Sequence, residues 1–440
     1  MRPMTICLFA IGLISILGQV VLLRELNVAF YGSELIYILA LGMWLLWTGL
    51  GAAVGRSRHL PSLGRIRWSF LGLSLLFLLD VAFIRGIQRV FGGVPGADLP
   101  FSQQLGAIAL ALLPIGLLLG LQFQWAAKLF VGGSKTLAKA YGIESIGGVA
   151  GGAAATLALK VGLPNFTIAA LCSLLALASA VHLTVQHGKR EHPSVMLATV
   201  SAVVGLLLLA VLWQGTVIDR QLTTWNYPAL LGTRDTPYGR TTVSGLFGQI
   251  SVFQNGALAF ESEGTSAEEF VHLAALQHPG PRAMLVLGGG VEGLLREAER
   301  HAPERIDYVD LDRRALELAL AHLPGDHLES PGSIRAHIRF EDPGDISTTL
   351  QSRTISSWWG CPSRPRPRPT ASIRGISSSS VPLGSHQAAY WPFACARPRI
   401  SGLPSFYAAR GASNGPSRRT FPRSSSYRAS PTPSLLPGTA

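Results

Sequence analysis

The chain has 440 residues, 48% of them apolar and only 14% charged, with a formal net charge of +12 and a mean hydropathy of +0.33. So few charges in so apolar a chain exclude a disordered protein and a purely soluble one. Four scattered cysteines exclude a disulfide scaffold and a cysteine-built zinc site, and no metal site is expected.

A positive balance points to nucleic acid or anionic lipid only when it lies on a folded surface. Here it lies in one segment. Residues 352–440 hold 12 Arg and no Lys, Asp or Glu, and 19 Ser and 13 Pro fill much of the rest. Removing those 12 from the 37 basic residues leaves 25, which match the 25 acidic residues. No nucleic-acid partner is therefore expected. The composition divides the chain into a helical membrane domain (1–214), a small β region (215–262), a partial α/β domain (263–351) and a Ser/Arg/Pro-rich tail (352–440).

The first zone contains repeated apolar runs near the roughly 20 residues that a spanning helix needs. They are Met4–Leu23, Leu35–Gly55, Trp68–Ile84, Leu105–Ala126, Tyr141–Val161, Phe166–Val185 and Val195–Trp213, which predicts an all-α polytopic domain of about seven helices. The lipid bilayer is the expected partner. Arg56, Arg58, Arg65, Arg67, Lys128, Lys135, Lys139, Lys189 and Arg190 fall in alternate loops, which places those loops and the N-terminus in the cytoplasm. An odd number of spans then puts everything after Trp213 outside, whereas the cofactor argument below expects a cytoplasmic domain on a multi-pass inner (plasma) membrane protein. One span more or fewer reconciles the two. Glu25 reads as an interfacial carboxylate, Asp80 as an ionisable group within an apolar run, and Gly147–Gly152 as a helix-packing stretch.

In the second zone, Thr241–Val243, Gln249–Phe253 and Leu258–Glu261 read as strands, with Asn255-Gly256 as a hairpin turn. Ala267–Gln277 reads as a helix capped by Ser266. The apolar run Ala283–Leu287 then ends in Gly288-Gly289-Gly290-Val291-Glu292-Gly293, followed by a helix over Leu294–His301. A second strand, Ile306–Val309, ends in Asp310-Leu311-Asp312, and Arg313–His322 is again helical. Glycines at 288, 290 and 293 between strand and helix, with an acid about 20 positions on, form a nucleotide-binding pattern. The glycines permit a tight turn and close approach of a ligand, and Asp310 suits ribose hydroxyls. The pattern alone leaves a dinucleotide site and an S-adenosylmethionine-type site both open.

The stretch 288–297, Gly-Gly-Gly-Val-Glu-Gly-Leu-Leu-Arg-Glu, resembles the Gly-Gly-Gly-Asp-Gly-Gly-x-Leu-Arg-Glu turn of the polyamine aminopropyltransferase (spermidine synthase) family. Val309–Asp312 resembles that family's Val-Glu-Ile-Asp strand end, and Pro237-Tyr238-Gly239-Arg240 the start of its β-domain. A multi-span segment before such a domain resembles the membrane-fused branch. The resemblance implies a Rossmann-like, S-adenosylmethionine-dependent methyltransferase-like fold, with decarboxylated S-adenosylmethionine as co-substrate and a small amine as acceptor. It implies that Gly288, Gly290, Glu292 and Gly293 line the co-substrate turn, that Asp310 meets the ribose and that Asp342 meets the adenine edge. The sequence departs from the family where Val291 replaces the turn Asp, His272-Leu273-Ala274 replaces Tyr-His-Glu, and Gly239 replaces Gln. His272 reads equally as a structural histidine and as a ligand.

The family's catalytic carboxylate would fall some way past Asp342, yet nothing acidic follows Asp345. The catalytic residue is thus unknown, and the oligomeric state is not legible. An acid-free tail rich in Arg, Ser and Pro is expected to be disordered, and it has the composition that a GC-rich gene gives out of frame, so the α/β domain is expected to be truncated by a shifted reading frame. Alternative readings are another S-adenosyl-ligand transferase, methyltransferase-like, and a membrane transporter or sensor whose soluble domain binds a nucleotide without catalysis.

Overall fold

A computed structural model describes residues 2–56, 62–93, 97–132, 135–188, 195–246, 248–277, 280–289, 292–323, 337–342 and 389–390. Seven long helices come first: α1 (Arg2–Ala29), α2 (Glu34–Val54), α3 (Leu63–Val90), α4 (Phe101–Val131), α5 (Leu137–Val161), α6 (Asn165–Gly188) and α7 (Val195–Trp213). All seven are long and apolar enough to cross a membrane. Each contains one of the expected apolar runs, except that α2 stops at Val54, one residue short of the expected Leu35–Gly55. Helix α1 sits centrally against α3, α4, α5 and α6 and buries Leu8, Ile11, Ile14, Leu22 and Leu26. Its fit against α5 depends on small residues. A Cβ on Gly147 would collide with the Phe9 carbonyl, and one on Gly151 with that of Leu13. The Gly147–Gly152 stretch is therefore the close helix contact that its small residues suggest.

Asp80 is buried on α3, and its Oδ2 makes no hydrogen bond among the described residues. Glu25 corrects the interfacial expectation. It is 1% exposed and sits in an ionic cluster that joins the helices to the sheet region. Arg85 Nε and Nη2 donate to its two oxygens at 3.0 Å each. Arg240 Nη1 and Nη2 donate to the same two oxygens at 3.1 and 2.7 Å. Arg240 Nε also donates to Asp235 at 2.7 Å, and Asp235 accepts the Asn165 main-chain N–H at the start of α6 at 2.7 Å. Burial works to raise the Asp235 carboxyl, but the Arg240 charge overrides it and holds the group below the ordinary carboxylate range.

The region expected to be a small β unit opens with a helix, α8 (Gly215–Thr224), too short to span a bilayer. An antiparallel meander follows: β1 (Leu230–Thr236), β2 (Gly239–Leu246), β3 (Gln249–Gln254) and β4 (Ala257–Glu261), in the order β1-β2-β3-β4. β2, β3 and β4 extend the three expected strands. β1 escaped the sequence reading because Leu230-Leu-Gly-Thr-Arg-Asp-Thr236 carries no apolar alternation. Asn255 and Gly256 have φ of 50° and 82°, the two left-handed residues of a type I′ hairpin turn. The sheet has two working faces. Val243 and Val252, directly paired, and Phe260 enter the core of the α/β region, whereas Arg240, Ser244 and Phe253 face the helices.

Helix α9 (Ser266–Ala275) begins one residue earlier than expected. Its N-cap is Thr265 rather than Ser266. Then come β5 (Ala283–Leu287), α10 (Leu294–Glu299), β6 (Arg305–Asp310), α11 (Arg313–Leu320), β7 (His337–Phe340) and β8 (Ala389–Tyr390). The four strands form a parallel sheet in the order β7-β6-β5-β8. The sequence reading saw only β5 and β6. β7 extends the sheet beside β6, and β8 brings two residues of the Ser/Arg/Pro-rich segment against Met284 and Leu285. That corrects the expectation of a wholly disordered tail at these two positions. The rest of residues 352–440 lies outside the described residues.

Candidate nucleotide site

Parallel strands present their carboxyl ends at one sheet edge, where helix N-termini and loops receive ligands. Gly288 follows β5, Asp310 ends β6 and Asp342 follows β7 by two residues, so all three lie along that edge. The Gly288 N–H donates to the Val309 carbonyl at 2.7 Å, which closes the turn onto β6. Gly288, Gly289 and Gly293 have φ of 72°, 71° and 82°, conformations that a Cβ disfavours. Among the described residues nothing lies within 4 Å of a Cβ placed on Gly288, whereas a Cβ on Gly293 would meet the Phe260 ring at 2.8 Å. Gly288 therefore leaves room for a ligand, and Gly293 lets α10 pack against the hairpin sheet. Gly290 and Val291 lie outside the described residues.

Glu292 and Asp310 form the acidic centre of this edge. Burial first, and the neighbouring Asp310 charge second, push the Glu292 carboxyl up to about 7. Asp310 is held in place from two sides: the Tyr308 hydroxyl donates to Oδ2, and the Asp312 N–H donates to Oδ1 at 3.0 Å. Asp312 in turn caps α11, accepting the Ala315 N–H at 3.1 Å, and its other oxygen accepts the Thr236 hydroxyl. The Thr236 and Pro237 carbonyls accept Arg24 Nη2 and Nη1 at 2.6 and 3.1 Å. A continuous chain of bonds thus runs from α1 to the carboxylate beside the glycine turn. Sequence reading missed Tyr308, Thr236 and Arg24. Tyr308 alone carried a signal, a hydroxyl two residues before the acid on the same strand face.

His272 is accounted for structurally. Its Nδ1 lies 2.7 Å from His301 Nε2, and its Nε2 lies 3.4 Å from the buried Glu297 carboxylate, so it ties α9 to α10. Arg300 Nη1 also reaches Glu297, at 2.8 Å. Beside Gly293 a cavity of about 220 Å³ is lined by Ser262, Glu263, Thr265, Glu268 and Arg296, among others. Its carboxylates make it a place for a cationic group next to the turn. Among the described residues no group of three or more His, Cys, Asp or Glu side chains is placed to hold a metal.

Residues 263–344 match the spermine/spermidine synthase domain, a span that includes α9, the glycine turn, Asp310 and Asp342. A polyamine aminopropyltransferase of Pyrobaculum calidifontis is 42% identical over 76 residues, 17% of this chain and 26% of the relative. One from a Synechococcus strain is 31% identical over 141 residues, 28% of this chain and 44% of the relative. Spermidine synthase 2 of Datura stramonium is 32% identical over 100 residues, 22% of this chain and 29% of the relative. The chain thus spans less than half the length of each of these curated relatives.

Proposed function

We propose, from the spermine/spermidine synthase domain that residues 263–344 carry, that the chain is a membrane-bound aminopropyltransferase. It takes the aminopropyl group from decarboxylated S-adenosylmethionine and gives it to a small amine. The observation that carries this reading is the coincidence of the matched segment with a glycine turn that, among the described residues, leaves open space above Gly288 and sets Glu292 beside Asp310. Asp310 binds the ribose hydroxyls, and Asp342, two residues past the neighbouring strand β7, meets the adenine edge.

The amine nitrogen attacks the carbon joined to the sulfonium. The new C–N bond forms as the C–S bond breaks, and sulfur keeps the pair and leaves as a neutral thioether. The nitrogen then sheds one proton. A free amine has a pKa near 10, so a base must act at neutral pH. Glu292, pushed up to about 7, suits this role, and the acidic cavity beside Gly293 suits the incoming amine.

The bilayer reading rests on the seven apolar helices and on outward apolar side chains such as Ile38, Leu45, Val149 and Leu206. The sheet region is assigned to the cytoplasmic face of an inner (plasma) membrane, where the co-substrate would be met. The out-of-frame origin of residues 352–440 is part of the same proposal, and resequencing the gene across that boundary tests it. Activity is tested with purified full-length protein, decarboxylated S-adenosylmethionine and a panel of diamines, by following methylthioadenosine. The expected result is product with wild type and at least about 100-fold less with Glu292→Gln. S-adenosylhomocysteine formed from S-adenosylmethionine would instead identify a methyltransferase. No binding of either compound would refute the transferase reading in favour of a transporter or sensor.

A further inference from the structure

Tyr308 is one of the largest fully buried side chains of the protein. It stands on β6, in register with Val286 of β5 on one side and Ile338 of β7 on the other, so its backbone cannot shift without breaking two ladders. The ring belongs to the α/β core, together with Met284, Val286, Ile306 and Leu316. A phenylalanine would fill that place as well. What the hydroxyl adds is a bond that leaves the core, donated to Asp310 Oδ2.

Asp310 is half-buried, so water would satisfy its oxygens if the phenol were absent. The bond therefore matters less for satisfying the carboxylate than for aiming it. The terminal torsion of an aspartate is broad and has no sharp preference of its own. In Asp310 it is pinned twice, by the Tyr308 hydroxyl on Oδ2 and by the Asp312 N–H on Oδ1 at 3.0 Å. A carboxylate oxygen has two acceptor directions, so among the described residues each oxygen keeps one, and the two lie side by side. A pair of vicinal hydroxyls matches them, one to each oxygen. Glu292 adds like charge next to Asp310 and, when ionised, would turn a free carboxylate aside. The two pins oppose that.

We propose that Tyr308 is a positioning residue of the nucleotide site: through its bond to Oδ2 it holds Asp310 in the orientation that accepts two vicinal ribose hydroxyls, and so sets the preference of the site for ribonucleosides. This rests on the reading of the glycine turn as a nucleoside site, and it assigns there a residue that acts only through Asp310.

The test is calorimetric titration of the full-length protein in nanodiscs at pH 7.5 with two probes, methylthioadenosine and its 2′,3′-dideoxy analogue. The readout is the ratio of their dissociation constants. Wild type should favour the ribose probe about 30-fold or more, since hydrogen bonds to a charged group are the strong ones. Tyr308→Phe, which removes only the hydroxyl, should weaken methylthioadenosine about 10-fold and the dideoxy probe less than about 2-fold. Asp310→Asn should lower the ratio at least as far. Ile306→Val, a loss of core volume on the same strand face, should keep the wild-type ratio. Equal weakening of both probes by Tyr308→Phe, an unchanged ratio in that variant, or an equal fall in ratio with Ile306→Val each overturns the proposal. Loss of the ratio in Asp310→Asn but not in Tyr308→Phe would leave the nucleoside site standing and reduce Tyr308 to a core residue. Wild type binding neither probe would overturn the nucleoside reading and this role with it. The wild-type ratio needs no variant, so equal binding of the two probes refutes the role even if Tyr308→Phe fails to fold.

Discussion

Arg240 is 5% exposed and is the guanidinium shared by Glu25 of α1 and Asp235 of β1, with four bonds of 2.7 to 3.2 Å. Arg240→Leu fills similar apolar volume but leaves two buried carboxylates facing each other, with Arg85 the only guanidinium among the described residues still bonded to Glu25. Removing one partner of a buried ion pair costs about 3–5 kcal/mol. At about 2 °C per kcal/mol for a large domain, the melting temperature should fall by roughly 6 °C or more. The pH dependence separates this cause from lost packing. In wild type the Asp235 carboxyl is held below its ordinary value, so its contribution is present above about pH 4 and is lost as acid protonates it. In the variant burial and the Glu25 charge raise the Asp235 carboxyl against only the Asn165 N–H bond, so its pKa rises, and protonation on acidification relieves the unpaired charge. The gap between wild type and variant must therefore narrow between pH 7.5 and pH 4.5. Differential scanning calorimetry of both proteins in the same detergent measures it. A melting shift under about 1 °C, or a gap of equal size at both pH values, would refute the reasoning.

Glu292 behaves in the opposite sense. Its folded-state pKa of about 7 lies above the unfolded value of 4.5, so stability falls as pH rises through that window. Glu292→Gln should abolish that slope and melt higher than wild type at pH 8, by up to about 3 kcal/mol of stability. Gly151→Leu forces α5 away from the Leu13 carbonyl and should lower the melting temperature by several degrees, since overpacking costs about 1–3 kcal/mol; Gly142→Leu, with open space around it, should change little. Single cysteines introduced at Arg56 and Glu304, labelled with an impermeant maleimide in intact cells, report orientation. The aminopropyl reading expects Glu304→Cys to be protected, and labelling there would remove the domain from its co-substrate and refute that reading; with seven spans Arg56→Cys is then labelled, against the charge bias that assigns its loop to the cytoplasm, whereas protection of both positions would mean an even number of spans.

The seven apolar helices, the hairpin at Asn255-Gly256 and the strand–glycine–helix–strand order around Asp310 were legible in the sequence. Each is written locally, in runs of apolar residues, in a turn dipeptide, or in acids and glycines at fixed spacing. Sequence also marked Glu292 as the carboxylate at the turn where the family carries a different pattern. Nothing local could show that Glu25, on the first helix, meets Arg85 on the third and Arg240 far along the chain. Such a pairing depends on how helices pack and on which face of a strand looks toward them. For the same reason β1 stayed hidden, because its ladder partner rather than its own pattern makes it a strand. The excess of 12 positive charges was a matter of composition alone. The position of the buried charges was decided by tertiary structure, because only a completed core removes water and makes each carboxylate depend on one particular guanidinium.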